Sequence, residues 1–172
     1  MKLFSKVPLL NVAVRATILL ITQMPLAIAG SNGAPIATLH AEGAQVYECK
    51  PDSGKSQPGV RALTWQFREP IATLMVDGKS IGRHFAGPNW EHIDGSVVKG
   101  KVIASTLGAT SRDIPWLELE LVERRNDGIF STATTVRRIN TKGGIAQGPC
   151  EKAGDYLSVP YSADYVFLRG GS

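Results

Sequence analysis

Apolar and polar residues alternate with a period of two along most of the chain after residue 43. Leu117, Leu119 and Leu121 alternate with two glutamates, which is typical of a strand with one buried face. The last part of the chain shows the same pattern, with aromatic residues on the apolar face. The strands that these patterns predict are 45–49, 63–67, 71–76, one starting near Ser80, 89–93, 97–105, 117–121, 129–139 and a final one in which Tyr161, Ala163, Tyr165 and Phe167 share a face.

Turn signals separate these predicted strands. Asp77-Gly78, Asp94-Gly95 and Asn126-Asp127-Gly128 are typical of tight turns, and a polar loop is predicted from Pro51 to Gly59. No helical periodicity lies between the strands. We therefore expect an all-β fold, a single antiparallel β-sandwich or barrel that spans residues 30–172 with its core at about 43–168.

The first 29 residues have the pattern of a secretory signal peptide. Residues 1–15 carry three basic side chains and no acid, an apolar stretch follows from Ala16, and Ala27-Ile28-Ala29 fits a cleavage signal. A membrane anchor is the alternative, but Thr22, Gln23 and Pro25 break the apolar stretch before the roughly 20 residues that a spanning helix needs. We therefore expect cleavage after Ala29, a secreted or periplasmic location and no membrane span in the mature chain.

Removal of this leader changes the charge of the protein. Three of the 19 basic residues and none of the 15 acidic residues lie in it, so the mature chain carries 16 basic and 15 acidic residues. This balance leaves no basic surface for nucleic acid and no charged run for a membrane surface. Cys49 and Cys150 are expected to form a disulfide, since the chain is exported and has an even number of cysteines. Two separate buried thiols are the alternative.

The segment from Gly82 to Ser96 is the first candidate for a functional site. It gathers His84, Trp90 and Asp94 around Gly87-Pro88, whose backbone preferences bend the chain. Trp90 could be a stacking platform for a sugar or another flat ligand. Packing in the core is the alternative for this residue.

Arg137 and Arg138 are adjacent in a predicted strand and must point to opposite faces. One of them could point inward and pair with an acid such as Asp94. Arg138 is therefore added to the candidate binding residues.

No cofactor or metal signature accompanies these residues. His84, His92 and Asp94 form the one plausible metal cluster, but their spacing matches no known site. Asp77-Gly78-Lys79-Ser80 lacks the preceding glycine of a phosphate-binding loop, because Thr73 stands there, and no dinucleotide-binding pattern follows a strand. We therefore assign no metal and no cofactor.

A longer series of motifs resembles a known family. The series comprises Gln45-x-Tyr47-x-Cys49, Trp65, Gly82-x-His84-x-x-Gly87-Pro88-x-Trp90, Asp94-Gly95-Ser96, Trp116-Leu117, Arg138-x-Asn140-Thr141-x-Gly143-Gly144, Cys150 and Val159-Pro160-Tyr161-x-Ala163-x-Tyr165-x-Phe167. In this order it resembles an uncharacterised secreted family of bacteria and fungi, the domain of unknown function 3455. The resemblance implies no mechanism, because the family has no established activity.

Two hypotheses for the function follow. The first is a secreted or periplasmic binding module that uses the 82–96 loop to recognise a small molecule, a glycan or a protein. The alternative is a secreted hydrolase or lyase in which His84 and Asp94 perform acid–base chemistry. An enzyme should place a histidine of perturbed pKa in a concave pocket, whereas a binding module should expose Trp90 and its neighbours.

Overall fold

The chain folds into eight antiparallel strands that form one closed barrel, in which each strand pairs with the next and β8 pairs with β1. This computed structural model describes residues 33–52 and 62–170, so the predicted leader and most of the loop after Pro51 lie outside the described residues. The all-β prediction is confirmed, and the barrel alternative is the one observed. The strands are β1 (Ala34–Pro51), β2 (Leu63–Val76), β3 (Lys79–Phe85), β4 (Asn89–His92), β5 (Val97–Thr106), β6 (Trp116–Arg125), β7 (Thr135–Gly143) and β8 (Tyr156–Arg169).

The first two strands are longer than the sequence pattern predicted. β1 begins at Ala34 rather than at residue 45. β2 continues through Pro70, where the pattern predicted a break. Pro70 pairs with Gln45 of β1 but has no partner on β3, because β3 pairs with β2 only from Ala72 onward, and a proline is tolerated where one side of the strand is unpaired.

The turn at Asp77-Gly78 is confirmed, whereas the strand predicted at 129–139 is wrong in its first part. Asp77 and Gly78 have φ angles of 49° and 73° and join β2 to β3 in two residues. Residues 129–132 instead form a turn that precedes β7. This turn inserts Phe130 into the barrel, where the ring is fully buried and stacks on Phe167 at a centroid distance of 4.3 Å. Burial of the aromatic ring therefore overrides the strand preference of the local sequence.

The two ends of the barrel differ. At one end, the connection between β6 and β7 inserts Phe130 and closes the interior. The apolar core extends from this closed end to the middle of the barrel, where Leu74, Trp90 and Leu119 are each no more than 1% exposed. The opposite end carries the β3–β4 turn at 86–88, the β5–β6 loop at 107–115 and the β7–β8 loop at 144–155, and among residues 33–52 and 62–170 none closes the interior here.

The disulfide between Cys49 and Cys150 is confirmed, with Cα atoms 5.8 Å apart and 101 residues between the two positions. It fastens the β7–β8 loop to the end of β1 at the open end of the barrel. Within residues 33–52 and 62–170, no helix has the length and apolarity needed to cross a bilayer.

Candidate ligand-binding cavity

A cavity of about 420 Å³ occupies the open end of the barrel, a volume that falls within the range of small-molecule sites. Its floor is formed by the buried residues Trp90, Leu119 and Tyr165, and its rim includes Phe67 and Val102, which are about half exposed. Most of the other lining residues are apolar. The full lining is Gln45, Tyr47, Phe67, Arg68, Pro70, His84, Gly87, Pro88, Trp90, Val102, Ile114, Pro115, Leu117, Leu119, Arg138, Ile145 and Tyr165.

His84 lines this cavity from the inner face of β3. Its side chain is almost fully buried, and the ring stacks on Trp90 with centroids 4.6 Å apart and planes 9° from parallel. Burial lowers the pKa of His84 to about 3, although the hydrogen bond to Asn89 opposes the shift and the charge of Arg138 adds to it. The imidazole is therefore neutral at physiological pH. Because Nδ1 is 2.8 Å from the carbonyl oxygen of Asn89, Nδ1 carries the proton and donates, and Nε2 keeps a lone pair.

Trp90 is a floor residue rather than an exposed platform. It lies opposite His84 in the β3–β4 pair and is 1% exposed. Its ring edge packs on Tyr165 and Phe167 at centroid distances of 5.4 Å and 5.9 Å. Space for the indole comes from Gly100, where an added Cβ would approach Trp90 to 3.0 Å. Of the two alternatives for Trp90, packing in the core is the one observed, and the indole offers no open face for stacking.

Arg138 points into the barrel, and its neighbour Arg137 points away from it. In the strand register Arg138 lies opposite Leu117 on β6 and Tyr165 on β8, two lining residues of the cavity. Its Nε–H donates to the carbonyl oxygen of Pro115 at 3.0 Å. Arg137 instead pairs with Glu118, with 3.5 Å between Nε and Oε2. The prediction of opposite faces is met, but the suggested pairing of an inward arginine with Asp94 is wrong.

Asp94 lies at the closed end of the barrel, away from the cavity. Its carboxylate accepts hydrogen bonds from Ser96 N–H at 2.8 Å, Ser96 Oγ–H at 2.6 Å and Ile129 N–H at 2.8 Å. Although burial works to raise it, these bonds hold the pKa of Asp94 well below its usual range. An added Cβ at Gly128 would lie 2.5 Å from this carboxylate, so the glycine is required there. Asp94 therefore anchors the β6–β7 connection to the β4–β5 turn.

The structure thus brings together three of the four candidate binding residues. His84, Trp90 and Arg138 line one cavity, and Asp94 does not. His84 and Asp94 consequently do not form an acid–base pair. His92 does contact Asp94, with 3.1 Å between Nδ1 and Oδ2. Within the described part of the chain, no group of three or more His, Cys, Asp or Glu side chains is placed to hold a metal ion.

Two tyrosines of the lining, Tyr47 and Tyr165, were not among the candidates, and Tyr161 lies next to Tyr165 without being part of the lining. Tyr47 donates its hydroxyl to the carbonyl oxygen of Gly144 at 2.6 Å, and the hydroxyls of Tyr161 and Tyr165 are 3.5 Å apart. Burial raises the pKa of each of these three tyrosines, so all three are neutral. The alternation of the last predicted strand already put Tyr161 and Tyr165 on one face, and only closure of the barrel shows that Tyr165 lines a cavity.

Gln45 is the polar residue that sequence reasoning had least means of finding. It is 3% exposed and lines the cavity, and its Nε2 has no hydrogen-bond partner. The amide is near enough to Tyr161 to oppose part of the rise in the pKa of that phenol, but it lies outside hydrogen-bonding geometry. A buried donor without an acceptor is uncommon, because it loses its bonds to water without replacement.

Comparison with known proteins places the chain in a family. No curated protein and no solved structure matches it. A family model described as a protein of unknown function, DUF3455, matches residues 30–169, which include every described strand. The chain belongs to this family of proteins of unknown function.

Proposed function

We propose that this protein is an exported binding module that holds a small, largely apolar molecule in the cavity at the open end of the barrel. The observation that carries the proposal is a cavity of about 420 Å³ whose walls are mostly apolar and which contains a buried, unpartnered amide donor at Gln45. Sites for small molecules have this composition, since apolar walls supply affinity and a few polar groups fix orientation.

The segment from Gly82 to Ser96 contributes one wall of this site. His84, Gly87, Pro88 and Trp90 all line the cavity. Gly87 has a φ angle of 96°, so the turn that carries Pro88 to the rim needs a residue without a side chain. In the proposed complex, this segment contacts the ligand from inside the barrel rather than through an outer loop surface.

Binding is preferred over acid–base catalysis because His84 has no carboxylate partner among the described lining residues, and because its pKa is far from neutral. A perturbed histidine in a concave pocket was the expectation for an enzyme, and His84 meets that description. However, a pKa of about 3 leaves the imidazole far from the neutral range in which a general acid or base is effective. A neutral imidazole with a free Nε2 lone pair serves instead as a hydrogen-bond acceptor for a ligand.

A neutral fluorescent probe tests the proposal. N-phenyl-1-naphthylamine should bind the mature protein with saturable enhancement of its fluorescence. Leu117→Trp fills the cavity and should abolish the enhancement, while Val122→Trp, on the same strand but 47% exposed outside the cavity lining, should not. No saturable binding to the folded wild-type protein would contradict the proposal.

A further inference from the structure

Arg138 is an inward-facing cation with no carboxylate partner among the described residues. Its Nε–H donates to the Pro115 carbonyl oxygen, and the guanidinium also interacts with the hydroxyl of Tyr165, but both of these partners are uncharged. Burial raises the pKa of Tyr47, Tyr161 and Tyr165, and the charge of Arg138 works against the rise in each case. The positive charge of Arg138 therefore acts on Tyr47 and Tyr165 of the cavity lining and on the adjacent Tyr161.

The other described arginine of the cavity lining is already neutralised. Arg68 is exposed at the rim, where it lies 3.2 Å from a carboxylate oxygen of Glu69 and 3.8 Å from one of Glu48. The outward neighbour Arg137 likewise has Glu118. Arg138 differs from both, because no described carboxylate lies beside it. A partly buried charge normally has a partner of opposite sign.

The cavity lining also contains buried N–H donors that have no hydrogen-bond acceptor. No aspartate or glutamate is among its described lining residues. Gln45 Nε2 and Trp90 Nε1 are buried donors without acceptors. Apart from the lone pair of His84 Nε2, the groups of the lining that still need partners are therefore a cation without a carboxylate and two N–H donors without acceptors, which an oxygen-rich anion would satisfy.

We infer, on the basis of the proposed binding function, that the ligand is an amphipathic carboxylic acid whose carboxylate is held by Arg138 and whose apolar part extends toward Phe67 and Val102. A guanidinium binds a carboxylate through two parallel hydrogen bonds. One guanidinium among apolar walls matches a single negative charge, whereas a phosphate dianion would need further cations or backbone N–H groups. Arg138 lies beside Tyr165, whereas Phe67 and Val102 are the half-exposed apolar residues of the lining, and this separation suits a ligand with one charged and one apolar end.

Two ligands of the same chain length, one charged and one neutral, distinguish the contribution of the charge to affinity from that of the apolar contacts. Decanoate and decanol are each titrated against wild-type protein loaded with N-phenyl-1-naphthylamine, and displacement gives their affinities. Decanoate should bind about tenfold or more tightly than decanol, as expected for a partly desolvated charge pair. Equal affinities with normal dye binding would overturn this inference and leave the proposed function standing, whereas failure of the neutral dye to bind would overturn the proposed function itself.

Three variants test whether the preference for decanoate over decanol depends on Arg138. Arg138→Met should remove the preference for decanoate, measured as the ratio of the decanoate and decanol affinities within the same variant. Arg138→Lys should retain part of the preference, and Arg68→Gln, the matched change at the rim, should alter it less than about threefold because exposed pairs contribute little. If dye binding shows that Arg138→Met is folded and the preference for decanoate persists, Arg138 is not the anion site. If Arg138→Met loses dye binding as well, retention of the preference by Arg138→Lys supports the assignment and its complete loss contradicts it.

Discussion

The imidazole of His84 lies flat on the indole of Trp90, at a centroid distance of 4.6 Å, and both rings face the interior of the barrel. The register places these two residues directly opposite each other on β3 and β4. The stacking couples the cavity wall to the core, because the far edges of the indole pack on Tyr165 and Phe167. We expect substitution of Trp90 to change mainly the stability of the fold, and substitution of His84 to change mainly the dependence of stability on pH.

Trp90→Ala should lower the free energy of unfolding by about 3–5 kcal/mol, the usual cost of removing a fully buried aromatic side chain. Urea denaturation followed by circular dichroism measures the change. Trp90→Phe keeps an aromatic ring and should lose less. A loss below about 1 kcal/mol for Trp90→Ala would show that the indole is not part of the packed core.

Stability should decrease as the pH falls from about 6.5 to about 3, because the folded state keeps His84 neutral while the unfolded chain takes up a proton from about pH 6.5. In this window the unfolded state binds more protons, so acid favours unfolding. His84→Gln can still donate to the Asn89 carbonyl and should flatten this part of the profile. The free energy of unfolding measured in urea at several pH values gives the comparison, and identical slopes in both proteins would contradict the prediction.

Asp94→Ala should destabilise the protein by on the order of 2 kcal/mol, because two backbone N–H groups and the Ser96 hydroxyl lose a charged acceptor. Binding of the neutral dye should stay unchanged, since Asp94 lies at the closed end. The carboxylate stabilises the fold above its unfolded pKa of about 3.9, and this contribution decreases as the pH falls below that value. A loss of dye affinity in a folded Asp94→Ala protein would show that the two ends are coupled.

Reduction of the Cys49–Cys150 disulfide should lower stability by about 2–5 kcal/mol. Non-reducing peptide mapping of protein made in an oxidising compartment should recover the two cysteines in one linked peptide. A Cys49→Ser, Cys150→Ser double variant gives the matched thiol-free comparison. Two free thiols in the exported protein would contradict the disulfide.

Export should remove the first 29 residues. The acid-free basic start, the apolar stretch and Ala27-Ile28-Ala29 motivate this prediction. Intact-mass analysis of protein recovered from outside the cytoplasm should give a chain that begins at Gly30. A mass that includes residues 1–29 would contradict cleavage.

The sequence predicted the strands well because the alternation of apolar and polar residues is local. It predicted the site less well because the site depends on which end of the barrel each turn occupies. His84 and Asp94 are only ten positions apart, yet β4 runs between them from one end of the barrel toward the other. In an antiparallel series, consecutive turns fall at opposite ends, so neighbours in sequence on either side of a strand are separated by its length.

The arginine pair illustrates the same limit. Alternation required Arg137 and Arg138 to face opposite sides, but only the pairing with Leu117 and Tyr165 shows which one is inward. Gln45 could not be identified from its neighbours, since its missing partner is a property of the closed cavity. The inward position of Arg138 and the unpartnered amide of Gln45 are determined by pairing between strands that are distant in sequence, and not by residue type.

Pairing of the first strand with the last also sets the order in which the fold can be completed. Ala34 lies opposite Arg169, so the ring cannot close until β8 has been synthesised. Contacts of such high sequence separation make folding slow, because a long loop must close before they form. If the predicted leader directs export, this topology suits it, because the barrel cannot close before β8 is available and a polypeptide must be unfolded to be threaded across a membrane.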